Sequence, residues 1–387
     1  MAGERTLYAK EDPRLKAGNG VDIPFLLLVL TLLTVGLVML WSASFAQSEY
    51  DTGYAISTRY LKKQAVCAGL GLVCMWVFSR IKAAFWMKFA WWVYGISIVL
   101  LLSVLVVGQS VNGARRWINI AGIQFQPSEI AKFAMIVLFA RLTQLFGADA
   151  KDFRHGVLGF SLALLGILVP LALEKHLSAI MLLGMVGVTM MFVAGTRLRW
   201  LGAGAAVAAI FVVVYVTFMG YAGDRITAWL HPEQDPGDTG YQILQSLYAI
   251  GSGGVFGLGF GKSRQKYLYL PFQYNDYIFA VVCEELGLVG AIGIIALFAA
   301  LICRGYWIAL RAADRFSTVL ATGLVTLIAV QTALNLGVVT NLLPSTGIAL
   351  PFFSYGGTAL AVNLGEIGVL LSISRQRNQT KVQEDVL

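Results

Sequence analysis

Gly251-Ser252-Gly253-Gly254, Lys262-Ser263-Arg264-Gln265-Lys266 and Asn275-Asp276 punctuate one polar interval that runs from about Gly220 to Asp276. It is the only long stretch outside the termini that cannot sit in hydrocarbon. Working outward, almost everything else reads as apolar helices joined by short loops, so the interval is either a passive connector or the place where those helices present chemistry to water. The second reading puts Asp276 at its centre.

The 387 residues are 58% hydrophobic and 13% charged, against roughly 25% charged in a soluble domain. Mean hydropathy is +0.73. The chain is therefore an all-α polytopic integral membrane protein, with about ten runs long enough to cross a hydrocarbon core of about 30 Å. The spans read as 23–45, 62–79, 88–108, 127–146, 156–173, 176–194, 198–219, 276–303, 316–341 and 350–373. Residues 1–22 form an N-terminal tail, 23–373 the transmembrane domain with its large outer loop 220–275 between spans seven and eight, and 374–387 a C-terminal tail. The first span has no small-residue cleavage site and reads as uncleaved.

Basic residues set the orientation. Arg80, Lys82 and Lys88, Arg141, Lys151 and Arg154, Arg197 and Arg199, Arg304, Arg311 and Arg315, and Arg375, Arg377 and Lys381 fall on the inner side if both termini are cytoplasmic. Arg59, Lys62, Lys63, Arg115, Arg116, Lys175, Arg225, Lys262, Arg264 and Lys266 are then outside, against the rule. Long loops escape the rule, but the short connection with Arg115 and Arg116 does not; an anionic ligand on the outer face explains both. The net charge of +8 is thus a matter of topology and not of nucleic acid. Cys67, Cys74, Cys283 and Cys303 lie in apolar runs as inert thiols, with no metal-ligand spacing around them.

Four constellations carry chemistry. Val111 to Trp117 leads into Gln126-Pro127-Ser128-Glu129-Ile130-Ala131-Lys132, where Pro127 suits a first helical turn and Glu129 and Lys132 share a face at i and i+3. They are a mutual staple, or they border a polar cavity. Gly251 to Ser263 misses a phosphate-binding loop because Phe256 stands where glycine is required, although a backbone nest with Lys262, Arg264 and Lys266 remains open beside a plain flexible turn. Asn275-Asp276 is either a helix cap without a capping box, or a carboxylate at the membrane surface able to take a proton from a sugar hydroxyl. Glu284, Glu285 and Glu366 read as buried and paired, with a proton path as the alternative. Leu343 to Gly347 and Leu350-Pro351-Phe352-Phe353-Ser354-Tyr355-Gly356-Gly357-Thr358 imply a broken or re-entrant backbone, which borders a site or is only a kink.

These stretches, together with Gly240-Tyr241-Gln242, Gln245-Ser246-Leu247 and Glu284-Glu285-Leu286-Gly287, resemble the SEDS family of bacterial cell-wall synthesis over nearly the whole chain. Asn112 to Trp117 and Ser263 to Lys266 look more like its FtsW and SpoVE branch than its RodA branch. The resemblance implies a peptidoglycan glycosyltransferase of the bacterial plasma membrane that polymerises lipid II with inversion, beside a class B penicillin-binding protein and other divisome or elongasome proteins. The family's essential aspartate falls on Asp276, as general base. Arg115, Arg116, Lys262, Arg264 and Lys266 become candidates for holding pyrophosphates, with or without Mg or Mn, while Glu129, Lys132 and Ser354 shape the substrate cavity. No cofactor is otherwise implied. Two departures stand out: Pro271-Phe272-Gln273-Tyr274 where the family carries an acidic residue and a histidine, and Glu174-Lys175-His176 where it carries Pro-Asp. A lipid II flippase and a noncatalytic scaffold for a transpeptidase are the rival readings; Asp276 separates them, since neither needs a base. The sequence leaves open whether the role is in division, elongation or sporulation.

Overall fold

Helix α1, Ile23–Asp51, starts where Asp22 caps it, accepting the Phe25 N–H at 3.1 Å, with proline in the first turn. Its 29 residues reach about 43 Å at 1.5 Å per residue, more than the width of a hydrocarbon core. The computed structural model describes residues 20–111, 114–120, 123–204, 206, 227–234 and 239–384. Beyond α1 it contains α2 (Arg59–Phe78), α3 (Ala83–Val107), α4 (Pro127–Phe146), α5 (Phe160–Leu173), α6 (Leu177–Ala194), α7 (Thr239–Gly253), α8 (Ile278–Leu310), α9 (Arg315–Val339) and α10 (Thr358–Glu384). Eight helical segments among the described residues are long and apolar enough to cross a membrane. Most of the expected seventh span, 198–219, lies outside the described residues, as does Arg225.

The fourth expected span, α4, is helical but carries Glu129, Lys132 and Arg141, and it lies at the centre of the bundle with nearly every residue buried. Helices α9 and α10 are also largely buried, whereas α2, α3 and α8 turn Val66, Leu70, Trp92, Val99, Val289 and Ile292 outward. Polar groups are thus carried on interior helices, and the apolar surface is left for lipid. At one end of the bundle, Arg304 donates to both oxygens of Asp22 at 3.0 Å, and the Asp22 N–H reaches Ser374 at 3.1 Å. The start of α1, the far part of α8 and the end of α10 therefore share a face, opposite the one that bears Asp276.

The all-α class holds, with one addition and two corrections. Between α3 and α4 lies a small antiparallel sheet of β1 (Gln109–Val111), β2 (Ala114–Ile120) and β3 (Ile123–Phe125), ordered β1-β2-β3. Ile118 pairs with Phe125 and Asn119 with Gln124; β-branched and aromatic residues favour this pleated surface over a helix. The last helix starts at Thr358 and not near 350, because 341–357 is irregular.

The interval before Asp276 is also no solvated loop. Helix α7 packs on α8, and the turn after it enters a break in α8 at Gly287 (φ 65°, ψ −168°). There Leu258 and Gly259 donate to the Glu284 and Glu285 carbonyls at 2.9 and 3.0 Å, while Leu288 and Val289 donate to Gly254 and Val255 at 2.9 and 3.1 Å. The helix ladder is interrupted, yet these backbone groups remain paired. A Cβ on Gly287 would stand 2.2 Å from the Gly257 nitrogen, so this close approach requires glycine.

Candidate active site

Asp276 does not cap α8. The cap position is Tyr277, without a side-chain cap bond, and Asp276 stands one residue earlier, half-buried, in the segment that enters the helix. Its backbone is fixed from α9, where the buried Asn335 amide donates to the carbonyls of Asp276 at 2.7 Å and Ile348 at 2.8 Å. Ser354 fastens the same two segments from the other side. Its hydroxyl donates to the Asn275 carbonyl at 2.6 Å and accepts the Leu350 N–H at 2.7 Å. Ser354, expected at the substrate cavity, is thus a buried clasp one residue from Asp276.

The irregular segment opposite is held by amides from the interior. Gln331 donates to the Ala349 carbonyl at 3.2 Å. Gln64 of α2 donates to the Ser354 carbonyl at 3.1 Å and accepts Gly356 and Gly357 N–H groups at 3.3 and 3.1 Å. Non-helical backbone at this depth needs such partners. Gly347 (φ +70°) faces Asp276: a Cβ there would lie 3.7 Å from Asp276 Oδ2.

Around this frame sits an aromatic wedge. Tyr274 packs on Tyr60 with ring centroids 4.5 Å apart and on Tyr355 at 5.9 Å, and Tyr60 donates to Asp51. Burial raises the Tyr274 phenol; Tyr60 counters this by hydrogen bonding, and the charges of Asp51 and Asp276 add to it. The phenol keeps its proton beside Asp276. Gln273, also within the stretch that departs from the family, is buried and donates to the Lys266 carbonyl at 3.3 Å.

The second part of the site is the tip between α5 and α6. Ser178 donates to the Thr346 carbonyl next to Gly347, so the tip and the Asp276 frame adjoin. Arg116 of β2 donates to the Lys175 carbonyl. On α4, Lys132 and Glu129 form a buried ion pair at 2.7 Å. Lys132 and Arg116 both act on His176: burial first, then these two cations, lowers its pKa to about 3 and keeps it neutral. Burial drives Glu174 the other way, to about 8, partly offset by Arg116. Arg116 and the Lys132–Glu129 pair thus act on an uncharged imidazole, and an anionic group that met Lys132 would compete with Glu129 for it.

The remaining candidates lie elsewhere. Lys266 is only 2% exposed and is ion-paired with Glu285 at 2.9 Å, with further bonds to Ser42 Oγ at 3.1 Å and the Gly261 carbonyl at 2.7 Å. Ser42 Oγ in turn donates to Glu285 at 2.7 Å. Glu284 accepts the Ser263 hydroxyl and the Arg264 N–H at 2.9 Å. The two glutamates anchor the polar loop, about two turns along α8 from Asp276, and a buried, saturated ammonium holds fold and not ligand. Lys262 and Arg264 are exposed on that loop. Arg115 is exposed on β2 and donates to the Leu105 carbonyl at 3.1 Å. Glu366 departs from expectation in another way: it is buried, but neither carboxylate oxygen has a hydrogen-bond partner. Among the described residues no three His, Cys, Asp or Glu side chains are grouped to hold a metal.

Sequence reasoning missed Asn335, Gln331 and Gln64. Each is an amide within an apolar span, which is itself the signal that flags such positions.

The fold and site define a multi-pass helical membrane protein in which a carboxylate on a clamped backbone adjoins the α5–α6 tip, which Arg116 reaches. The chain belongs to the FtsW/RodA/SpoVE cell cycle protein family, whose model matches residues 24–379. It is 39% identical over 371 residues to a Geobacter metallireducens protein named "Probable peptidoglycan glycosyltransferase FtsW", covering 95% of this chain and 98% of that one. It is 38% identical to stage V sporulation protein E of Bacillus subtilis, covering 92% and 97%. Among solved structures it superposes on a chain from a work titled "Structural coordination of polymerization and crosslinking by a peptidoglycan synthase complex", with a TM-score of 0.79, 28% identity and coverage of 92% and 98%. The rod shape determining protein RodA of Thermus thermophilus gives a TM-score of 0.68 at 27% identity, with the same coverage.

Proposed function

We propose that this protein is a peptidoglycan glycosyltransferase that polymerises lipid II at the outer face of the bacterial cytoplasmic membrane, in cell division or cell shape, with both termini inside. The observation that carries the reading is the placement of Asp276: its chain is clamped by Asn335 and Ser354 and adjoins, through Gly347 and Thr346, the tip where Arg116 and Lys132 converge. In the reaction, Asp276 takes the proton of the acceptor sugar's 4-hydroxyl. The oxygen attacks the donor's anomeric carbon, the bond from that carbon to the pyrophosphate oxygen breaks, and the configuration inverts. Arg116 and Lys132 bind the charge that gathers on the departing undecaprenyl pyrophosphate. The membrane protein's outer segments then work beside a class B penicillin-binding protein, which cross-links the product.

Flippase and polymerase are separated by removing the membrane barrier. Purified protein with its transpeptidase partner and labelled lipid II in detergent should yield glycan strands. Absence of glycan there, with movement of lipid II across sealed vesicles, would favour transport; absence of both would leave the scaffold.

A further inference from the structure

Glu366, in the third turn of α10, is 2% exposed, and both its oxygens lack a hydrogen-bond partner. Helix α10 packs on α4, and Glu366 lies within electrostatic reach of the Lys132–Glu129 pair. Those two groups are the charges that act on it among the described residues. On its other flank α2 brings Cys74, Met75 and Phe78 against Gly365 and Gly368, an apolar wall. The pair is already neutral, so an ionised Glu366 would leave a net negative charge buried among helices. One bound proton removes that charge; alternatively Lys132 moves to share itself between the two carboxylates.

We propose that Glu366 is a positioning residue for the polymerisation reaction and acts through Lys132. With its proton bound, it leaves the lysine to Glu129 and to the substrate's pyrophosphate. On losing that proton to water, it draws the lysine toward α10 and away from the substrate. The inference rests on reading Lys132 as a pyrophosphate ligand. It gives a protein-built reason for polymerisation to fall on the alkaline side.

The test is the pH profile of lipid II polymerisation by the full-length protein with its transpeptidase partner, in wild type and Glu366→Gln. Expected is an alkaline limb of kcat/KM that moves up by about one pH unit or vanishes in the variant, with the acid limb unmoved. Superimposable profiles would overturn the proposal. Infrared spectra supply a second reading: the difference between wild type and Glu366→Gln should contain the carbonyl band of a protonated carboxyl that bleaches across the same limb, which separates it from the Glu174 carboxyl common to both proteins; a difference band that persists through the limb, or no difference band, contradicts the proposal. Lys132→Gln tests the underlying assignment separately. An unchanged KM for lipid II in that variant would remove the pyrophosphate role, whereas a raised KM with superimposable Glu366→Gln profiles would sink the proposal alone.

Discussion

At the scale of single residues, the polar groups of this bundle divide by whether their partners are main chain, counter-ion or neither. Glu174 lacks a partner on Oε1, and burial raises its pKa to about 8. Because the folded value exceeds the ordinary carboxyl value of 4.5, folding takes up a proton between the two. Stability from this group is complete below the unfolded pKa and is lost as pH rises toward about 8. Glu174→Gln should therefore raise the Tm by several degrees in mildly alkaline buffer and leave it unchanged in acid, as read by thermal unfolding across pH. Gly347 offers a second check: alanine there must hold φ +70° and sets its methyl against Asp276. Gly347→Ala should reduce kcat for polymerisation by more than tenfold, at a stability cost of about 1 kcal/mol. Asp276, Glu129 and Lys132 were legible in the sequence because charges beside or inside apolar runs are rare. Lys266 was misread because sequence shows a charge but not the Glu285 that neutralises it.

At the scale of elements, the irregular segments are as fully specified as the helices. Gln64, Gln331 and Asn335 reach segment 348–357 from α2 and α9, and Glu284 with Glu285 reaches the loop before Asp276 from α8. Pairings between such distant positions leave no local periodicity, and for that reason the re-entry of α7 and the break at Gly287 were not readable. The three-stranded sheet was missed for a similar reason, its strands being too short to show alternation. The apolar spans, by contrast, announce themselves by length alone. The loop anchor makes a sharp prediction: Lys266→Met leaves Glu285 buried without its counter-ion and should cost about 3 kcal/mol. Arg264→Ala, on the exposed face of the same loop, should stay within about 0.5 kcal/mol. Thermal unfolding of the purified variants in detergent distinguishes the two positions; equal effects would mean that the loop is not anchored through Glu285.

At the scale of the whole molecule, a central set of polar-bearing helices, α4, α9 and α10, is wrapped by helices that face lipid, and every group assigned to the reaction is carried toward one end of it. The ion pairs Lys132–Glu129, Lys266–Glu285 and Arg304–Asp22 are spread over three places in the bundle, and only the first lies beside the groups assigned to the reaction. The family kinship extends over almost the full chain, and the two local departures are accommodated: Gln273 and Tyr274 tie and wedge the approach to Asp276, and His176 stays neutral between Arg116 and Lys132. The proposed polymerisation depends most on Asp276. Its central test is polymerisation of labelled lipid II by the protein with its cognate transpeptidase, comparing wild type with Asp276→Asn, a substitution that keeps side-chain size and the Asn335 contact to the backbone while removing the base. Glycan strands are expected from the wild type and none from the equally folded variant, if Asp276 is the base. Equal product from both would contradict it.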